Sequence, residues 1–394
     1  MEKITQRLRS YQEAPEASRL DVLDGFRALF ILLIGWYHIW QQGWLTPILT
    51  LGGTSVSLDP MLRSGYLWVD GLLLLSAFLL YLPYTQSAEK PKILPFYRRR
   101  LIRILPSYLL CLLFFFVIAL INGSYHSASD ALKDVGAHLL FIHNLFPFSA
   151  QQTPLNGALW TLAVEMQFYL LFPFLARAFR RLPVLTYAVM AAAAFAFRSY
   201  AAVFEDTSLL VNQLPAFLDV YANGFAAASA FAALKKALGK NYADRRIRLL
   251  FTVLLCVCVC ALARLATEQS WESGYAAIRL GQMNRRFSLS VLIGCAMVCA
   301  AFSLTGVRFL LGNRLMAFLA SVSFQFYMYH QPLAVWLKGA KWLPHVSETP
   351  WIDGEYAWQL RFTLCSFLSA FLLAVLITYL FEKPVTQLLK KRTK

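Results

Sequence analysis

Residues 20–42 read LDVLDGFRALFILLIGWYHIWQQ. The run is long and apolar enough for a first membrane-crossing helix, yet it carries Asp24, Arg27 and His38. Arg27 and His38 are eleven residues apart. At about 100° per residue that separation falls within roughly 20° of whole turns, so both side chains leave one face, about 16 Å apart along the axis. Asp24, three residues before Arg27, joins the same stripe. Ionisable groups at membrane depth are costly and mark a site by default. Taken alone, His38 reads equally well as an interfacial or satisfied core histidine. The arginine and aspartate on its own face tilt the reading toward a site.

The surrounding chain fits that first helix. Of 394 residues 58% are hydrophobic and 15% charged, and the mean hydropathy is +0.53. Such a composition describes an all-α polytopic membrane protein, in one integral domain over residues 1–394, and not a soluble globule. The net charge of +16 sits in short loops, where the positive-inside rule explains it better than nucleic-acid binding does. Seven cysteines, all inside apolar runs, suggest neither a disulfide framework nor a metal site. The Cys256, Cys258, Cys260 run has poor zinc spacing for a helix. The polar first 20 residues read as no cleavable signal, and the chain stops 12 residues after Glu382, which leaves no soluble appendage.

Ten spans are predicted, near 22–42, 64–84, 104–122, 158–176, 184–203, 214–234, 249–266, 287–304, 315–337 and 357–380. Basic segments alternate with weakly charged ones. Residues 1–20, the run KPKILPFYRRRLIR at 90–103, RAFRRLP, LKKALGKNYADRRIR and the tail 381–394 read as cytoplasmic, so both termini are cytoplasmic. The loop 267–286 is expected outside although it holds Arg279, Arg285 and Arg286, and it is the weakest point of this charge argument. The apolar piece 136–148 is too short to cross, and reads as re-entrant or interfacial. His126, His138, His143 and His345 fall in outer loops and are expected to be solvated.

Four more clusters put polar groups where lipid would forbid them. Arg100 and Arg103 share a face at the start of span three and suit a phosphate-bearing donor such as a coenzyme A thioester; a plain positive-inside anchor would look the same. Trp160 and Glu165 lie in span four, with Tyr169 one turn on; Glu165 must be paired, protonated or wetted, and a structural partnership with an arginine is the plainer reading. Ser323, Tyr327 and His330 share a face of span nine, where helix-packing hydrogen bonds are the alternative. Glu382 closes span ten at the cytoplasmic rim, where headgroup contact would also explain it. No G-x-S-x-G elbow, HExxH or Walker loop occurs, so serine-hydrolase and phosphate-loop chemistry are unsupported.

The set of motifs resembles acyltransferase family three, the ten-helix enzymes that modify bacterial surface and secreted glycans. The likeness runs from Leu20 to Pro384. Leu23-Asp24-Gly25-Phe26-Arg27 followed by His38 is similar to the family's LDGxR…H, and Arg100 through Tyr108 to its RxxRIxPxY. Leu159 through Pro173 resembles LWSLxxExxFYLxxP with Thr161 for the serine, Ser323 through Pro332 resembles SYxxYLxHxP with Phe324 and Met328 departing, and Glu382-Lys383-Pro384 resembles the closing ExP. The VDxFFxLSGF pattern is weaker: Val69-Asp70 and Ser76 stand, leucines replace the paired Phe, and Ala77 replaces the glycine, so packing near Ser76 is expected to differ.

The resemblance implies an acyl-CoA-dependent O-acyltransferase of the bacterial cytoplasmic (inner) membrane. It would move an acyl group, acetyl first, from cytoplasmic acyl-CoA to a hydroxyl of an extracytoplasmic carbohydrate or glycolipid, without a metal. His38 is the expected general base, acting directly or through an acyl-enzyme. Glu165 belongs to the catalytic set near the acceptor, and Asp24 and Arg27 shape the cytoplasmic mouth. Arg100 and Arg103 would hold the donor's phosphates, and Glu382 would pair with an arginine at the donor entrance. Trp160, Tyr327 and His330 would contact the acceptor. The competing class is a transporter or flippase for a glycan-related or amphipathic solute, and a scaffold on a degenerate fold is a third.

Overall fold

Apolar runs of this length leave the backbone no partner but itself, so each forms a helix. The computed structural model describes residues 20–86 and 92–391. The expected cytoplasmic segment 1–20 and its basic residues lie almost wholly outside the described residues. Among the described residues ten helices are long and apolar enough to cross a membrane, as the hydropathy pattern predicts. They are α1 (Asp21–Gly43), α2 (Trp68–Gln86), α3 (Ile93–Ile121), α4 (Trp160–Arg181), α5 (Pro183–Ala201), α6 (Leu218–Leu238), α7 (Arg245–Ser270), α8 (Tyr275–Phe302), α9 (Arg314–Gly339) and α10 (Tyr356–Ile377). Because the crossings alternate, α1 begins and α10 ends at one face of the bundle, here called proximal; the other is distal.

α1 packs chiefly on α9, α2 on α6, and α7 on α8. In the central α2, 78% of the most apolar window is buried, against 22% in the peripheral α5 and α10. The α2–α6 contact answers the expectation about Ala77. A Cβ on Gly224 would meet Ala77 Cβ at 2.6 Å and the Leu74 carbonyl oxygen at 2.7 Å. The bare backbone that a glycine at 77 would have supplied is supplied from the facing helix.

Several boundaries differ from the sequence expectation. α3 starts at Ile93, so Arg98 to Arg103 sit on its first turns and not in a loop. With 29 residues, α3 is about 43 Å long and outreaches a hydrocarbon core of about 30 Å. α8 starts at Tyr275, so Arg279, Arg285 and Arg286 are helical. Arg286 is fully buried and its Nε lies 3.1 Å from Asp70 Oδ2, while Arg285 lies 2.9 Å from Glu272. Two of the three arginines that weakened the charge argument, Arg285 and Arg286, thus have carboxylate partners, and Arg279 does not.

The polar stretch after α3 is also folded. Ser127 caps a helix Ala128–Leu139 by accepting from the Asp130 amide. A turn at Phe141, with φ of 57°, separates this helix from the 3-10 turn His143–Leu145, so 136–148 is not one segment. His138 and His143 are not solvated as expected: they are 0% and 2% exposed and stack with ring centroids 4.1 Å apart. His138 Nδ1 bonds the Asp134 carbonyl at 2.9 Å, and the Asp134 carboxylate accepts from Tyr125 and Thr153. Asp134 and its partners tie the loop together, while His138 Nε2 and both His143 ring nitrogens stay buried without a hydrogen-bond partner among the described residues. His126 and His345 are exposed, as expected.

Candidate active site

Two cavities, of about 590 and 290 Å³, lie end to end between α1, α2, α4 and α9. Along each helix, and the 3-10 turn Gly65–Leu67 that leads into α2, the lining residues sort along the axis. His38, Tyr66, Trp160 and Gln331 line the larger, distal cavity; Arg27, Ser76, Glu165 and Ser323 line the proximal one. Val69 and Tyr327 line both, and so form the wall between them.

In the distal cavity His38 Nδ1 is 2.8 Å from His330 Nε2, and His330 Nδ1 is 2.9 Å from the Phe326 carbonyl oxygen. The proton positions follow from the partners. A carbonyl oxygen only accepts, so His330 Nδ1 carries the hydrogen; a neutral His330 then presents a bare Nε2, and His38 Nδ1 donates to it. That tautomer leaves the lone pair of His38 on Nε2, which has no hydrogen-bond partner among the described residues, on a side chain that lines the cavity. His330 is fully buried behind His38 and is not on the cavity wall. Phe326 stacks on His330 with its ring 5° from parallel, and only a glycine at position 35 admits it, since a Cβ there would fall 2.5 Å from Phe326 Cε1.

The proximal cavity collects the guanidinium groups of Arg27, Arg100 and Arg103 with the carboxylates of Glu165 and Glu382. Glu165 Oε1 accepts from Ser76 at 2.8 Å and from Tyr169. Arg100 lies over the rings of Phe96 and Tyr169, 5.7 Å from each centroid, and its Nε has no hydrogen-bond partner among the described residues. Arg27 lies within the fields of Arg103, Asp24 and Glu165. Glu382 accepts from Gln325 Nε2 at 2.8 Å; among the described residues no arginine pairs with it. It reaches the cavity from a π-helical turn, Thr378–Glu382. Pro384 explains the turn, because it lacks the N–H that would bond residue 380 and its ring would strike that carbonyl.

The structure therefore splits the expected site into two groups. His38, Trp160, Tyr327 and His330 are gathered at or behind the distal cavity; Arg27, Arg100, Arg103, Glu165 and Glu382 are gathered at the proximal one. Glu165 is on the guanidinium side of the wall and not beside His38. Asp24 acts on Arg27 from outside the cavity lining. Ser76 and Gln325 join the site without having been singled out as site residues. Ser76 stood in a motif, but nothing in the sequence pairs Gln325 with Glu382. Among the described residues no cluster of side chains suits a metal ion.

Comparison with known proteins shows the family of the chain. The O-acetyltransferase OatA of Staphylococcus aureus strain NCTC 8325 / PS 47 is 30% identical over 160 residues, which cover 38% of this chain. The OatA of strain COL matches identically. The aligned part is 24% of those proteins, so the chain matches about a quarter of their length. No solved structure matches the chain. The family pattern described as Acyltransferase domain matches residues 20–383, nearly the whole described bundle and both cavities, and the chain belongs to that family.

Proposed function

We propose that the protein transfers an acyl group, acetyl first, from acyl-CoA in the proximal cavity to a carbohydrate or glycolipid hydroxyl in the distal one. The observation that carries the reading is the pair of cavities that meet at Val69 and Tyr327, with guanidinium groups lining one and a histidine base lining the other. The proximal face is then cytoplasmic. Arg98, Arg99, Arg180, Arg181, Lys235, Lys236, Lys390 and Lys391 all belong to helix ends at that face, which fits the positive-inside rule for a bacterial inner membrane.

Arg100 and Arg103, with Arg27 deeper in, bind the phosphates of the donor through paired N–H groups. Glu165, held by Ser76 and Tyr169, keeps these cations apart and neutralises their mutual repulsion. The thioester end reaches the wall. His38 Nε2 takes the proton of the acceptor hydroxyl as its oxygen attacks the thioester carbonyl. The new C–O bond forms, the C–S bond breaks, and the imidazolium returns its proton to the leaving thiolate. His330 accepts from His38 Nδ1 throughout, so it holds the reactive tautomer and spreads the positive charge. The Tyr327 hydroxyl at the wall can donate to the carbonyl oxygen as charge builds there.

The test is thiol release from acetyl-CoA by purified protein in liposomes, with a crude envelope glycan extract present. His38→Ala should lower turnover by about 10²–10⁴-fold. Arg100→Ala should raise the donor KM by about tenfold, as loss of a charge-assisted pair does. Release of no thiol from any of several acyl-CoA donors, with no acyl-CoA bound by the wild type, would sink the reading.

A further inference from the structure

The distal cavity has an unusual wall. Its polar lining consists of amides, hydroxyls and the His38 imidazole, with aromatic rings from Tyr37, Tyr66 and Trp160 between them. No Asp, Glu or Lys lines it, and Arg279 is its one formally charged side chain among the described residues. Three buried or half-buried arginines of this end have carboxylates: Arg198 holds Asp219 at 2.6 Å, Arg285 holds Glu272 and Arg286 holds Asp70. Arg279 has no carboxylate within ion-pair distance among the described residues. It lies 3.9 Å over the Tyr275 ring and bonds that hydroxyl, but its Nη1 has no hydrogen-bond partner. Asp206 is the carboxylate whose field reaches it, and that residue is exposed and already accepts from the Ser208 amide. Water screens an exposed charge of this kind, so it neutralises Arg279 weakly.

A guanidinium kept without a carboxylate on the wall of an otherwise uncharged cavity matches a ligand that brings its own negative charge. We propose that the distal cavity accepts an anionic glycan, whose carboxylate or phosphate group pairs with Arg279 while a neighbouring hydroxyl meets His38 and its ring lies on the aromatic wall. The proposal deepens the acyltransferase reading and rests on it for the identity of the distal cavity as the acceptor site. A neutral sugar would leave the Arg279 guanidinium, on the wall of the same cavity as His38, without a partner.

Two measurements test it together. In the first, transfer of labelled acetyl from acetyl-CoA is followed into an envelope glycan extract, the same extract with carboxyl groups reduced to alcohols, and the same extract after phosphatase. Loss of label on carboxyl reduction identifies a carboxylate, and loss on phosphatase treatment a phosphate. In the second, tryptophan fluorescence is titrated with glucuronic acid, glucose 1-phosphate and glucose, on wild type, Arg279→Gln and Arg279→Lys. A preference for the charged sugars of about tenfold is expected, lost in Arg279→Gln and partly kept in Arg279→Lys. Retained acetyl-CoA binding identifies folded variants. Equal response to charged and neutral sugars, no response to any, or a preference that survives Arg279→Gln overturns the proposal. Charge-selective binding without acetyl transfer to any glycan sinks the acyltransferase reading and leaves the anion site standing.

Discussion

His330 touches no substrate in this arrangement; it acts through His38. Its Nδ1 is committed to the Phe326 carbonyl, and this one bond fixes the direction of the whole proton chain. His330→Ala should lower kcat by about 10²-fold with the donor KM nearly unchanged, because the His38 tautomer is lost while the proximal cavity is untouched. His330→Gln, whose side-chain oxygen can accept from His38, should restore part of the rate. Equal damage by both substitutions would argue for packing and against proton direction. The two histidines are 292 residues apart in the chain, so the pair is invisible to any reading of spacing. Each was legible as an imidazole in an apolar run, and the polar residues sharing its face (Asp24 and Arg27 for His38, Ser323 and Tyr327 for His330) singled it out.

Among the elements, the folded distal segment 128–150 makes a pH-dependent prediction. Burial, with the neighbouring His138 second, pushes His143 down to about 3 from its ordinary 6.5. The folded segment therefore binds fewer protons than the unfolded one. Its stability is full above about pH 6.5 and is lost as the pH falls toward 3, by about 2 kcal/mol at pH 5. Hydrogen exchange over 128–150 should accelerate from pH 7 to 5 after correction for intrinsic rates, and His143→Phe, which keeps the stack on His138, should flatten the effect. An unchanged pH dependence in that variant would remove His143 from the explanation. At the α2–α6 contact, Gly224→Val should lower the melting temperature in detergent, overpacking costing about 1–3 kcal/mol, since the Leu74 carbonyl cannot move aside. Hydropathy made the ten helices legible because length and apolarity are local properties. Polarity misled at His138 and Arg286 because burial there is satisfied by partners distant in sequence or by the fold of the loop itself.

For the molecule as a whole, the arrangement of cavities sets what can pass. Val69→Trp should abolish acetyl transfer while acyl-CoA binding, measured by calorimetry, stays within a few-fold of wild type, because the guanidinium groups lie on the far side of the wall. Parallel loss of binding and transfer would mean that Val69 supports the donor cavity and does not separate it. The sequence identified both halves of the site but joined them into one, since nothing in a linear order tells which side of Tyr327 a residue occupies. Two cavities back to back also reshape the electric field. If both hold water, nearly all of a membrane potential drops across the short wall at Val69 and Tyr327, where moving one elementary charge against 100 mV costs about 2.3 kcal/mol. Over a full cycle the acyl group crosses one way and the acceptor's proton the other, and each side ends as neutral as it began, so the overall transfer does no electrical work and its equilibrium should not depend on voltage. Ions face the same wall as a seal, and liposomes holding a Val69→Gly, Tyr327→Ala variant should lose an imposed proton gradient faster than those holding the wild type.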